Sequence, residues 1–362
     1  MIIDNFSLLD DSKWSHVFTQ MDVPIFQNKV YITEKEALEA EVGNVHLVQS
    51  LQSGFIFNKS FNPKIMNYDE NYQNEQSSSS VFKEHLNLVL ELLKEQFGIQ
   101  NKKVVEIGSG KGIFFEIMLK DGIDCIGFDP TYEGNNPKIV KEYFSEEYND
   151  INADVIIMRH TLEHIPNPFS FIHLIAKANN YKGKLFVEVP TFDWIYEKKA
   201  FWDIFYEHCN YFTEHSLSVM FEKATTGNFF GGQYIYLCAD LSELRNTIPM
   251  VNDNKRNNID FNNQIEKYEK VLNRNESIAI WGAGAKGSTF LNLLDPYKKK
   301  VSYVIDINPA KQNKFIAHTA HPICSPAILD SKPVENILVM NENYLAEIKS
   351  ILGDTEISLT TL

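Results

Sequence analysis

The sequence predicts an α/β protein with a central Rossmann-like domain, a second, C-terminal Rossmann-like α/β domain and a small N-terminal segment. Three observations predict it. Short apolar runs alternate with helical stretches, the pattern of mainly parallel sheets covered on both faces. This alternation occurs in two separate blocks, each opening on strand, glycine turn and helix. Between them lies an Asn-rich, charged connector. The expected divisions are 1–76 for the N-terminal segment and lid, 77–240 for the first domain, 241–275 for the helical connector and 276–362 for the second.

Bulk properties set the limits. The chain has 362 residues, room for two or three domains, and 44% apolar residues, enough for ordinary cores. A net charge of −14 argues against a general nucleic-acid binder. Four scattered cysteines (Cys125, Cys209, Cys238 and Cys324) form no CxxC pair, so no metal cluster is readable. Scattered thiols suit a reducing cytoplasm. No apolar run approaches the ~20 residues of a membrane span, and residues 1–14 lack the basic and apolar stretches of a signal peptide.

The elements follow in order. Residues 1–76 are mixed and polar, with strand-like stretches at 29–32 and 54–57, and 68–80 reads as a loop rich in Asn, Gln and Ser. Phe82, Leu86, Val89, Leu90, Leu93 and Phe97 then recur at three- and four-residue spacing, one face of a helix that Ser80 can cap and Gly98 can end. Strands are expected at 104–107, 125–129, 154–158 and 184–189, with a helix over 113–119. The second block has strands at 278–281 and 301–305. The basic run 298–300 reads as a solvated loop.

The first glycine turn carries the chemistry. Glu106-Ile107-Gly108-Ser109-Gly110-Lys111-Gly112 has the form ExGxGxG between strand and helix. A ligand lying across a strand end needs backbone without side chains in the way, which glycine supplies. Asp129 ends the next strand, seventeen residues beyond Gly112, where a carboxylate can accept both hydroxyls of a ribose. A dinucleotide turn reads GxGxxG; here the third glycine comes one residue earlier. The segment resembles motif I of class I S-adenosylmethionine-dependent methyltransferases. The resemblance implies that Gly108, Gly110 and Gly112 pass close to the methionine part and that Asp129 holds the ribose, with Glu106 at the entry to the turn.

Two further segments extend it. Arg159-His160-Thr161-Leu162-Glu163-His164-Ile165-Pro166 resembles the stretch after the fourth strand of many such enzymes, which makes His160 a candidate for cofactor or substrate contact. Glu163 and His164 are equally placed to cap the following helix. Phe205-Tyr206-Glu207-His208-Cys209-Asn210-Tyr211-Phe212, followed by Ser216-Leu217, resembles the nucleotide-sugar C-methyltransferase family. On that alignment His208 is the catalytic base and Glu207 the acid beside it. Phe205 and Tyr206 depart from the family's Tyr and His, and Tyr206 is the candidate donor to an enolate oxygen. Tyr72 and Ser77–Ser80 resemble the family's lid over the cofactor. Many members carry an N-terminal zinc module; this chain has no cysteine before Cys125.

The second turn, Gly282-Ala283-Gly284-Ala285-Lys286-Gly287, is GxGxxG in good context, and Asp306 follows the next strand. Alone it suggests a dinucleotide site. The resemblance implies instead a substrate domain, with Gly282, Gly284, Lys286 and Asp306 near the diphosphate of a nucleotide-sugar.

The expectation is therefore a cytoplasmic enzyme moving a methyl group from S-adenosylmethionine to a carbon of a nucleotide-linked keto-sugar through an enolate. Histidine, with a pKa of ~6.5 in water, suits proton abstraction near neutrality. The alternatives are O- or N-methylation of a sugar or other metabolite and, further off, a nicotinamide-dependent oxidoreductase. No nucleic acid, membrane or metal is expected; the oligomeric state is left open.

Overall fold

The structure is a computed structural model and describes residues 13–66, 68, 71–250 and 256–362. Three sheets organise it. The central one has seven strands in the order Ala224–Phe229, Tyr234–Asp240, Lys184–Pro190, Val155–Arg159, Lys103–Ile107, Asp124–Phe128, Ile139–Val140. Its five last-named strands run parallel, and Tyr234–Asp240 and Ala224–Phe229 are added antiparallel. Strand order reverses around Lys103–Ile107, because its successor lies on one side and Val155–Arg159 on the other. Open α/β sheets bind ligands at such a switch point.

Both faces are covered. Val104, Val155, Ile157 and Phe186 pack under the helix Ser80–Phe97 through Phe82, Leu86, Val89 and Leu93. On the other face, Ile156, Met158 and Val187 meet Phe169, Ile172 and Ile175 of the helix Pro168–Ala178. The expected apolar stripe on the first helix is thus the buried one, and Gly98 ends it in the left-handed conformation. Its cap is Ser79, one residue before the serine expected, whose Oγ accepts the Phe82 N–H at 3.3 Å.

The C-terminal sheet is wholly parallel: Ile323–Cys324, Val301–Ile305, Ile278–Trp281, Asn336–Val339, Ser358–Thr361. The connector supplies one helix, Asn262–Leu272; residues 251–255 of that stretch, like 1–12 of the N-terminal segment, lie outside the described residues.

The N-terminal segment departs most from the sequence reading. Instead of two short stretches, it holds two long strands, Trp14–Pro24 and Val42–Ser50, in an antiparallel sheet with Ile56–Asn58. The pairing slips between His16 and Phe18 and again between Gln20 and Val23. Each slip turns side chains to the opposite face and erases the alternation by which a strand is read. The sheet's fourth strand is Asn210–Tyr211, lent by the central domain. Val30–Tyr31 pairs with Phe315–Ile316 of the C-terminal domain. The segment, which has no cysteine, is thus paired with both of its neighbouring domains. Among the described residues, no helix is long and apolar enough to cross a membrane.

Candidate active site

The carboxyl ends of the central strands open into a cleft of about 680 Å³, a usual size for a small-molecule site. It runs from the first glycine turn to the second, so both domains wall it.

The first turn is built as its sequence requires. Gly108 has φ +82°, and a β-carbon there would sit 2.0 Å from Thr161 Oγ1. Gly110 and Gly112 also have positive φ, and Gly112 opens the helix Ile113–Lys120. Asp129 locks the turn by accepting the Gly110 N–H at 2.7 Å and both the N–H and hydroxyl of Thr131 at 2.8 and 2.7 Å. Glu106 is buried beneath it, and burial, opposed by Arg159, pushes its carboxyl up to about 7.

The strand Val155–Arg159 delivers the next group. His160 follows it in a left-handed conformation, φ +49°, lines the cleft and rests edge-on to Tyr234 with centroids 4.5 Å apart. Its Nδ1 lies 3.6 Å from Glu163 and its Nε2 3.8 Å from Glu188. Below, Glu188 bridges Arg159 and His85, each at 2.7 Å, and is held below the usual carboxylate range: burial alone would raise it, and the Arg159 guanidinium with His85 outweighs burial. Glu163 and His164 do not cap the helix Pro168–Ala178; Asn167 does. They stand in a short 3₁₀ turn, Leu162–His164, with both residues at the cleft wall.

The cluster Tyr206-Glu207-His208 is divided by the fold. His208 lines the cleft with its ring 4.9 Å from that of His164. Burial, then the neighbouring His164, push its pKa down to about 3. Glu207 points the other way. It is buried, accepts the Gln27 N–H at 3.1 Å and the Tyr72 hydroxyl at 2.5 Å, and its backbone carbonyl takes His164 Nδ1 at 2.9 Å. Burial raises its carboxyl pKa, against the pull of His164 and Tyr72. Tyr206 is packed on Phe61 and Gly43 in the N-terminal core, with its hydroxyl accepting the Asn62 N–H at 3.0 Å. Neither Tyr206 nor Glu207 lines the cleft, which corrects their expected placing beside the reacting atoms. The chain bends between Phe205 and His208, which both line the cleft, and turns the two side chains between them away from it.

Tyr72 does line the cleft, with Tyr68 edge-on to it at 4.8 Å. Glu163, His164 and His208 offer donor atoms within 4.8 Å of one another, as do His85, His160 and Glu188. The second set is internally ion-paired. Both are of metal-ligating type, and neither contains a cysteine.

At the other end, Gly282 has φ +118° and Gly284 precedes the helix Ala285–Leu294. Asp306 accepts the Ala283 N–H at 2.8 Å, as Asp129 does in the first turn. Lys286 is engaged with Asp203 at 2.7 Å and Gln233 at 3.0 Å across the domain boundary, over the ring of Trp194. Lys311, missed from sequence, lines the same end, with its Nζ 4.0 Å from Asp306 and 3.2 Å from the Ala283 carbonyl.

Two family matches cover most of the central sheet and the whole C-terminal domain up to residue 356. Residues 79–225 match the methyltransferase domain, and residues 251–356 match the C-methyltransferase C-terminal domain. This chain is a methyltransferase. The S-adenosylmethionine cofactor expected from its first glycine turn goes with that assignment. The C-methyltransferase NovU of Streptomyces niveus is 22% identical over 304 residues, covering 73% of this chain and 72% of its own. A ubiquinone biosynthesis O-methyltransferase of Aliivibrio fischeri is 36% identical over 116 residues, but over only 28% of this chain and 48% of its own length. A methyltransferase structure from Archaeoglobus fulgidus, described as SAM-dependent, has 20% identity and a TM-score of 0.34, covering 42% of this chain and 93% of its own. The Gly282–Gly287 turn of the methyltransferase lies inside the second matched domain, which replaces the nicotinamide reading.

Proposed function

We propose that the protein is a C-methyltransferase acting on a carbon beside the ketone of a nucleotide-linked sugar, by way of an enolate. The observation that carries this reading is that His208, the first glycine turn and the second glycine turn share one cleft. S-adenosylmethionine supplies an electrophilic sulfonium methyl. The chain's own residues do the rest. The open backbone at Gly108 and Gly110 admits the cofactor, and Asp129, at the end of the next strand, receives its ribose. Glu163, whose carboxyl is raised by burial but drawn down further by His160 and His164, sits beside His208. A neutral His208 takes the proton from the sugar carbon, and Glu163 offsets the positive charge that results. The donor task expected of Tyr206 passes to Tyr68, whose hydroxyl lies in the cleft and whose pKa is raised by burial, so that it keeps its proton. The helix start at Ala285 and the buried Lys311 meet the diphosphate, while Lys286 joins the domains.

O-methylation is the other reading. It is favoured by O-methyltransferase relatives that match over about a quarter of this chain; the match over 251–356 supports the carbon acceptor. The compartment we infer is the cytoplasm, where the four free thiols persist.

The test is His208→Ala with a panel of keto-sugar nucleotides. Turnover is expected to fall by ~10²–10⁴ while S-adenosylmethionine affinity stays, and NMR of the product is expected to show the methyl on carbon. Undiminished methylation removes His208 as base, and a methyl on oxygen removes the enolate.

A further inference from the structure

The short turn Leu162–His164 and the segment 207–210 are fastened together at the cleft wall. His164 Nδ1–H is donated to the Glu207 carbonyl at 2.9 Å, and Cys209 Sγ donates to the Glu163 carbonyl at 3.3 Å. The Asn210 amide donates to the Leu162 and Ile165 carbonyls at 3.2 and 2.5 Å. This clamp brings three side chains to one place, with donor atoms of Glu163, His164 and His208 within 4.8 Å of one another. Each offers an electron pair that no described residue uses. Glu163 is 2% exposed, and its Oε2 is buried without a hydrogen-bond partner. His164 spends its Nδ1–H on a carbonyl, which fixes the tautomer and leaves the Nε2 lone pair free. The His208 ring packs edge-on against His164, Phe205 and Tyr211 and forms no hydrogen bond with a described residue.

A buried carboxylate oxygen without a donor is costly, and two imidazole nitrogens beside it define its complement. We propose that Glu163, His164 and His208 form a site for a divalent cation of the zinc type, Zn²⁺, Co²⁺ or Ni²⁺, and that filling it reversibly inhibits the enzyme. Mg²⁺ and Ca²⁺ do not fit, because they call for oxygen donors. Imidazole and carboxylate bond such an ion at ~2.0–2.2 Å. Atoms spaced as here put a central ion no more than about 2.8 Å from each, a gap that small side-chain rotations close. The Glu207 carbonyl behind His164 is the outer acceptor that orients a ligating imidazole. In the other set both Glu188 oxygens are already committed, one to His85 and one to Arg159. The inhibition rests on the reading that His208 is the base: the lone pair that would take the proton from the sugar carbon goes to the ion instead.

The test is titration of the chelator-washed, untagged full chain with Co²⁺, read by its visible d–d absorption, followed by Zn²⁺ to displace it. Wild type is expected to show a saturable band that Zn²⁺ abolishes. Glu163→Gln and His164→Asn are expected to weaken binding at least tenfold, with retained S-adenosylmethionine binding showing that each is folded. His16→Asn, which alters the surface pair His16 and His46, is expected to leave the band unchanged. In a methylation assay the washed enzyme is expected to be fully active, Zn²⁺ to lower its turnover and EDTA to restore it. No band, or a band lost in His16→Asn and kept in the other two variants, overturns the site. Zn²⁺ that raises turnover or leaves it unchanged overturns the inhibition. The cobalt band needs no turnover, so failure of the base reading, seen as undiminished methylation by His208→Ala, is a separate and visible result.

Discussion

A carboxyl and an imidazole in this cleft are moved in opposite directions by the same cause. Burial penalises charge, so Glu106 is pushed up to about 7 and His208 down to about 3. Both are therefore more often neutral than in water. For His208 this means a lone pair available across the physiological range, and kcat/KM is expected to show no acid limb from this residue between pH 5 and 8. For Glu106 the sign follows from linkage. Its ordinary value is 4.5. Between there and about 7 the unfolded chain has lost the proton and the folded one has kept it, so stability falls as pH rises through that window. Glu106→Gln removes this loss. Its melting temperature relative to wild type is expected to climb from pH 4.5 to 7 and then level; a constant difference would mean that the carboxyl is not held protonated.

At the scale of elements, the site depends on how closely strand ends approach one another. Gly108→Ala places a β-carbon against Thr161 in a left-handed backbone. The strain alone costs about 1–3 kcal/mol. Cofactor affinity is expected to drop at least tenfold by calorimetry, with a lower melting temperature; unchanged values for both would show that the turn can move. This turn was legible in the sequence because three glycines, an acid before them and an acid at the next strand end all answer one steric demand. The helix Ser80–Phe97 was legible because one face is buried and its period shows, and the strands at 278–281 and 301–305 because they are short apolar runs buried almost throughout. The strand Trp14–Pro24 was not, since two bulges break its period. Nor was the split between His208 and Tyr206. Motif order gives neighbours along the chain, whereas the cleft is reached by one side of the backbone only. Lys311 lacks a motif, and the segment that Arg159 opens draws attention to its histidines; the place of both cations comes from burial, which appears only once strands are assembled.

Over the whole molecule, the two Rossmann-like domains are tied directly to each other beside the cleft. Glu347, from the last helix, Leu345–Leu352, accepts the Ser79 hydroxyl and both donors of Ser80, each at 2.6 Å. It thus completes the capping of a helix in the other domain. Tyr344 bonds Gln76 at 2.7 Å nearby, and Lys286 reaches Asp203 across the same boundary. Glu347→Ala is expected to cost about 1–2 kcal/mol, the range of a lost cap, and to speed proteolytic cleavage between residues 74 and 80. Unaltered cleavage would show that the tie does not hold that segment.

The two-residue strand Asn210–Tyr211 begins one residue after Cys209 and two after His208, and its partner is Ile56–Asn58. His208, the base we propose, is thereby moored to chain laid down some 150 residues earlier. Inheritance of the catalytic segment cannot be separated from inheritance of the first sheet. A chimera that joined this chain's residues from 77 onward to a relative's leading segment would bring a foreign edge to that mooring, and the aim of the imidazole would change although every cleft residue was retained.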